Sequence, residues 1–290
     1  LDVGQQSETE VISYRLFHDL DLLPACFQSY TMRQSPHILA SEMKIHISAD
    51  YQSEIWLYPA YALNGQLTAV ELVTQFIHES APITLPQDLL LPQLDEAQQL
   101  RLLQSQILLL EKHQAFFEAQ GVVALMRVDA NMSQTLLESD FLTRKIKQLS
   151  FLLLDLSESF PHLAQGLNDP LIAALHQQFR LSLSHFGAGK SPANAVYDNL
   201  FSCIKMDKQF IHSLAKRASF PSFIQSILDN FRSHCEQMII CGVDDDQLLN
   251  KVNKLSGADL QGALFPVVKS DSLEELLYAY TSLSTSQQPL

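Results

Sequence analysis

From about residue 44 onward the chain alternates short apolar segments rich in β-formers with longer segments of helical period. Few folds accept such a pattern, because parallel strand neighbours need a crossover and a helix supplies it. Strands are predicted over residues 54–61, 67–76, 122–128, 151–156, 181–186, 203–206, 238–241 and 260–265. Between them Leu103, Ile107, Leu110 and Phe117 fall on the stripe of one long helix. Phe223, Ile224, Ile227, Leu228 and Phe231 mark another. About eight strands over some 235 residues is the size of a closed (β/α)8 barrel, with an open doubly wound sheet as the alternative. Leu63-Asn64-Gly65 separates the first two strands, and Asn-Gly between alternating runs is a hairpin signal. The barrel is therefore expected to open with an antiparallel pair.

This rhythm divides the chain. Residues 44–281 carry it and are read as one barrel domain. Residues 1–43 hold polar turns and one short amphipathic stretch, and are read as an N-terminal extension. Residues 282–290 form a polar tail.

Composition narrows the function classes. With 32 acidic against 19 basic residues the net charge is −13, so the phosphate backbone of a nucleic acid is a poor partner. No apolar run reaches the ~18–20 residues needed to cross a bilayer, which leaves a soluble chain with no membrane partner. Cys26, Cys203, Cys235 and Cys241 show no C-x-x-C spacing. With no recognisable secretory leader they read as reduced thiols, and the expected location is cytoplasmic.

Several local motifs have a chemical reading beside a plainer one. Ser184-His185-Phe186-Gly187-Ala188-Gly189-Lys190-Ser191 follows a strand, as a P-loop would. Ser184 stands where the first glycine belongs, and Pro192 removes an amide donor, so a tight strand-to-helix turn is the better reading. Asp244-Asp245-Asp246 could bind a divalent cation or cap the helix that follows. Cys241 could be a nucleophile with His185 or His234 as base, or simply a buried thiol. No H-E-x-x-H or Cys/His quartet points to zinc, and no G-x-S-x-G elbow points to a serine hydrolase.

Taken in order, the strand ends resemble the EAL domain family of cyclic-di-GMP phosphodiesterases. The motifs are Tyr58-Pro59-Ala60-Tyr61, Gly65, Glu71-Leu72-Val73-Thr74-Gln75, Phe186-Gly187-Ala188-Gly189, Lys205-Met206-Asp207-Lys208-Gln209-Phe210 and Gln261-Gly262. The resemblance spans roughly residues 56–277 and implies a modified TIM-like (β/α)8 barrel of the EAL type. In active members, it implies, two metal ions polarise the phosphodiester and activate water. Carried over, that site is damaged here. Glu71 keeps the family's glutamate, but its closing arginine is Gln75. Asp129 stands for an asparagine ligand and Asp155 for a glutamate. Ser184 and His185 replace the aspartate pair, and Cys241 replaces another glutamate. Lys205, Asp207 and Gln261 survive.

A hydroxyl and an imidazole do not supply the charge that two divalent cations require. The resemblance therefore implies a dead phosphodiesterase with no catalytic residues, metal, cofactor or bound cyclic-di-GMP. Phe116-Phe117 and Ser233-His234-Cys235-Glu236 extend the likeness to a degenerate, YdiV-like group of the family. Membership would imply a protein that holds a flagellar transcription regulator through its FlhD subunit and represses motility, with no direct contact to nucleic acid.

Overall fold

The computed structural model describes residues 51–78, 83–189 and 193–278. The expected extension 1–43, residues 44–50 and the tail 282–290 lie outside the described residues. Apart from Tyr51, Gln52 and His78, the described residues belong to one compact unit.

Two long strands, β1 (Tyr51–Tyr61) and β2 (Leu67–His78), open that unit. Their turn is the expected one: the Ala62 carbonyl accepts from Gly65 N–H at 2.8 Å, and Asn64 Oδ1 accepts from Gln66 N–H at 3.0 Å. A short strand β3 (Thr84–Pro86) leads into a single turn α1 (Gln87–Leu90), then helices α2 (Glu96–Lys112) and α3 (Gln114–Gln120). Strand β4 (Val123–Arg127) precedes α4 (Ala130–Glu138) and α5 (Asp140–Gln148). Next come β5 (Leu152–Ser157), α6 (Pro170–Gln178), β6 (Leu181–Phe186) and α7 (Ala193–Tyr197). The sequence continues through β7 (Cys203–Met206), α8 (Lys208–Ala215), α9 (Phe220–Phe231), β8 (Gln237–Cys241) and α10 (Asp246–Val252). It ends with β9 (Asp259–Gln261) and β10 (Val268–Lys269).

Strands β2, β4, β5, β6, β7, β8 and β9 run side by side in parallel. Strand β1 lies antiparallel to β9, with Tyr61 opposite Leu260, and also pairs with β2. The ring closes through that one antiparallel strand, so the open-sheet alternative does not hold. Strands β3 and β10 add antiparallel pieces to β2 and β1. Parallel strands carry helices outside and side chains inside, so both faces are buried and near-continuous apolar runs result. Ala60, Ala69, Leu125, Leu153, Cys203 and Ile239, each from a different strand, meet in one buried cluster. Only the barrel interior lets six strands converge in this way. No helix among the described residues is long and apolar enough to cross a membrane.

Three local expectations need correction. The predicted single helix through Phe117 is two helices, α2 and α3, which meet at His113 with φ −104° and ψ 13°. The break re-aims the second helix so that the Phe117 ring stacks on Phe151 at 4.6 Å. The strand expected over 260–265 stops at Gln261, after Cys241 pairs with it. Beyond it the chain folds back tightly, the Phe265 N–H donating to the Gly262 carbonyl at 3.1 Å. On α9, Ile224, Leu228 and Phe231 are buried as expected, whereas Phe223 faces outward and is 47% exposed.

Candidate functional site

Alternate residues of a strand share a face. Moving two residues along from the apolar cluster, Ala69 is followed by Glu71, Leu125 by Arg127, Leu153 by Asp155, Cys203 by Lys205 and Ile239 by Cys241. The next interior layer is thus polar and ionic. It sits at the carboxyl ends of the parallel strands, where a barrel of this kind builds its site.

Two largely buried ion pairs, Arg127–Asp155 and Lys205–Glu71, organise this layer, and the half-exposed Asp88 adds a third contact to Arg127. Arg127 Nε donates to Asp155 Oδ2 at 2.8 Å, and Arg127 Nη1 donates to Asp88 Oδ1 at 3.2 Å. Arg127 Nη2 lies 3.4 Å from His185 Nε2. The second oxygen of Asp155, a fully buried residue, accepts from Ser182 Oγ at 2.9 Å. Lys205 Nζ donates to Glu71 Oε2. Burial disfavours charge on Asp155, but Arg127 and Lys205 outweigh it and hold the carboxyl below its usual range. Burial likewise opposes the Lys205 charge, and Glu71 with Asp155 more than compensate, raising its pKa above the ordinary lysine value. The same balance, with Asp88 and Asp155 as the main attractors, raises Arg127.

The remaining predicted positions surround these pairs. His185 adopts φ 59°, next to a register shift between β6 and β7 at Leu183/Phe186. Such a bulge re-aims a side chain, and here His185 Nδ1 comes within 3.4 Å of Asp207 Oδ2. Asp207 caps α8, its Oδ1 accepting from Phe210 N–H at 2.8 Å. Burial opposes its charge, but the contacts from His185 and Phe210 hold its pKa low. Asp129 caps α4, Oδ1 accepting from Met132 N–H at 2.8 Å. Ser184 is buried and donates to the Leu156 carbonyl at 3.3 Å. Gln75 Nε2 donates to Tyr58 Oη at 3.2 Å, and Gln261 Nε2 donates to the Tyr58 carbonyl at 3.4 Å.

The alternative chemical readings find no support in these contacts. Cys241 Sγ lies 3.5 Å from Gln261 Oε1, and burial pushes its thiol up to about 12. His185 is engaged with Asp207 and Arg127, while His234 Nδ1 lies 2.9 Å from Asn199 Oδ1. A base-paired thiolate nucleophile is not assembled. Within the acidic run Asp245 caps α10, its Oδ1 accepting from Leu248 N–H at 2.8 Å, as the capping reading expected. Asp244 pairs with Lys208 at 2.8 Å. In the phosphate-loop candidate, Gly187 has φ 99°, and a Cβ there would lie 2.8 Å from the Phe210 ring. That glycine serves close packing. Lys190 and Ser191 lie outside the described residues.

A pair of divalent ions does not fit these donors. Both Asp155 oxygens and the Glu71 Oε2 are already taken by protein donors, and Asp129 and Asp207 are helix caps. Among the described residues no group of three or more His, Cys, Asp or Glu side chains is placed to hold a metal ion. A cavity of about 460 Å³, lined by the β1–β2 turn and the start of β8, lies at the opposite end of the barrel. The residues that sequence reasoning passed over are Arg127, Asp88 and Ser182. Arg127 carried a signal: it is the one charged residue in the otherwise apolar strand Val123–Arg127.

Comparison with known proteins identifies the family to which this fold belongs. A sequence model of the EAL domain matches residues 45–266. The chain is 31% identical over 227 residues to the anti-FlhC(2)FlhD(4) factor YdiV of Salmonella typhimurium, covering 78% of this chain and 96% of that protein. It is 30% identical over 235 residues to the putative anti-FlhC(2)FlhD(4) factor YdiV of Escherichia coli, covering 81% and 99%. Among solved structures, the EAL-like domain protein YdiV superposes with a TM-score of 0.73 at 30% identity, covering 80% of this chain and 99% of that one. The FimX EAL domain of Pseudomonas aeruginosa, solved with c-di-GMP, shares the fold at TM-score 0.57 and 18% identity. The chain belongs to the EAL domain family, and within that family it is YdiV-like.

Proposed function

We propose that this protein is a non-enzymatic regulator that captures a flagellar transcription factor of the FlhC(2)FlhD(4) type through its FlhD subunit. Capture would keep that factor off its promoters and lower motility. The observation that carries this reading is likeness to the YdiV anti-FlhC(2)FlhD(4) factors along almost their full length. The barrel mouth supports the non-enzymatic half. Glu71, Asp155, Asp207 and Asp129 are bound to protein donors, and by the motif resemblance Ser184, His185 and Cys241 would stand at positions that active members fill with acids. Gln75, Lys205 and Gln261 complete this set of relict positions. A net charge of −13 suits a competitor of DNA for a basic partner surface. The protein would act in the cytoplasm through its barrel, residues 44–281, with 1–43 as an added segment.

Size-exclusion co-elution with purified FlhD–FlhC, followed by a promoter-DNA shift assay, tests the reading. A discrete complex and a weakened shift are expected at micromolar protein, and a negative in both assays refutes capture. The second reading, a weakly active or sensing cyclic-di-GMP protein, is tested by calorimetric titration and by hydrolysis in manganese or magnesium. No heat of binding and no turnover are expected. Metal-dependent turnover by the unmodified protein would end the non-enzymatic reading.

A further inference from the structure

We propose that Arg127 is a resident counter-cation of the barrel mouth, holding the carboxylates that a divalent ion would need and so keeping the barrel both metal-free and intact. Three nitrogens of its guanidinium are engaged at once: Nε with Asp155, Nη1 with Asp88 and Nη2 near His185. It therefore reaches β5, α1 and β6 from the end of β4. Its partner Asp155 is fully buried and takes its second hydrogen bond from Ser182. A buried carboxylate without a counter-charge is strongly destabilising, so this layer needs a cation from some source. Here the chain itself supplies it.

The chemistry of the donor makes the arrangement durable. A guanidinium stays charged across the pH range of biology and forms flat, forked hydrogen bonds that match carboxylates. A hydrated divalent ion entering the mouth would meet this fixed positive charge and that of Lys205, and would find both Asp155 oxygens already accepting hydrogen bonds. Without Arg127, Asp155 and Asp88 lose their ion-pair partner, and Lys205, which is bonded to Glu71, is left as the one cation beside Asp155 among the described residues. That leaves an excess of hard oxygen donors, which Mn2+ and Mg2+ accept.

The test is thermal unfolding of the full chain in EDTA and in millimolar MnCl2, with titration calorimetry of MnCl2 alone. The unmodified protein should melt at the same temperature in both buffers and show no binding heat. Arg127→Met should melt lower in EDTA and recover by roughly 5–10 °C in MnCl2, the scale expected for a ligand well above its dissociation constant. Arg127→Met combined with Asp155→Asn should lose that recovery, which separates metal capture from a general salt effect. If Arg127→Met does not fold in EDTA, Arg127→Gln, whose amide keeps one hydrogen bond to Asp155, takes its place. Folding that appears only with Mn2+ supports the proposal. Manganese binding by the unmodified protein, or variants that are equally stable or equally unfolded in both buffers, overturns it.

Discussion

The ion pairs of the barrel mouth are held by mutual dependence. Removing one partner strands the other in a dry interior, and the cost of that exceeds what the pair adds over a well-packed apolar substitute. Asp155→Ala is therefore expected to destabilise by about 3–5 kcal/mol, read as a lower urea midpoint, because it leaves Arg127 and Lys205 short of charge. The pH response follows from the same contacts. Asp155, Asp207 and Asp244 are all held below the usual carboxylate range, since ion pairs and hydrogen bonds outweigh their burial. A group whose folded pKa is depressed adds stability that is complete above its unfolded value, about 4, and lost as pH falls through the folded value. Urea midpoints should stay level from about pH 7 to 5 and drop below about pH 4. Asp207→Asn keeps an oxygen to cap α8 but cannot ionise, so its acid limb should be shallower.

Secondary elements here are set by short-range rules that tertiary contacts then trim. Helix α2 begins with a full capping box: Asp95 Oδ1 accepts from Gln98 N–H at 2.8 Å and Gln98 Oε1 accepts from Asp95 N–H at 2.9 Å. Asp95→Ala should cost about 1 kcal/mol in a denaturation series, with the loss confined to α2 in hydrogen exchange. At the end of β9 the limit is steric. A Cβ on Gly262 would lie 2.2 Å from the Val243 carbonyl oxygen and 2.3 Å from the Val243 amide nitrogen. Because the obstacle is backbone, Gly262→Ala must displace the loop after β8 and should cost roughly 1–3 kcal/mol. A lower melting temperature, with faster exchange at the Leu264 amide that bonds to the Val243 carbonyl, would register it.

Taken whole, the ring leaves its interior to side chains and its outside to helices, and among the described residues Glu71, Arg127, Asp155 and Lys205 gather charge inside it at the mouth. If capture of FlhD is the function, a change confined to this mouth should leave it untouched. Glu71→Gln is expected to co-elute with FlhD–FlhC as the unmodified protein does, since Glu71 is only slightly exposed and faces Lys205. A lost complex in a folded Glu71→Gln protein would place the mouth in the interface instead. Leu108 and Phe141 stand outside the core, 63% and 56% exposed, on α2 and α5. The Lys145–Glu111 pair, 2.6 Å, joins those two helices.

Much of this architecture is legible in the sequence alone. Strand–helix alternation dictated a parallel sheet, and the segments 181–186 and 203–206 became β6 and β7 without adjustment. Asn64-Gly65 announced the antiparallel opening, because the turn conformation is a property of those two residues. The candidate site could also be listed by residue, since its order along the chain is carried by motifs. What could not be read was which of those residues touch. Arg127 and Asp155 are 28 residues apart and meet only because β4 and β5 pair in register. Glu71 and Lys205 face each other only because the ring closes. Local preference and period act within a few residues and leave their mark in sequence. Charge pairing across a closed barrel depends on register, and no single segment contains it.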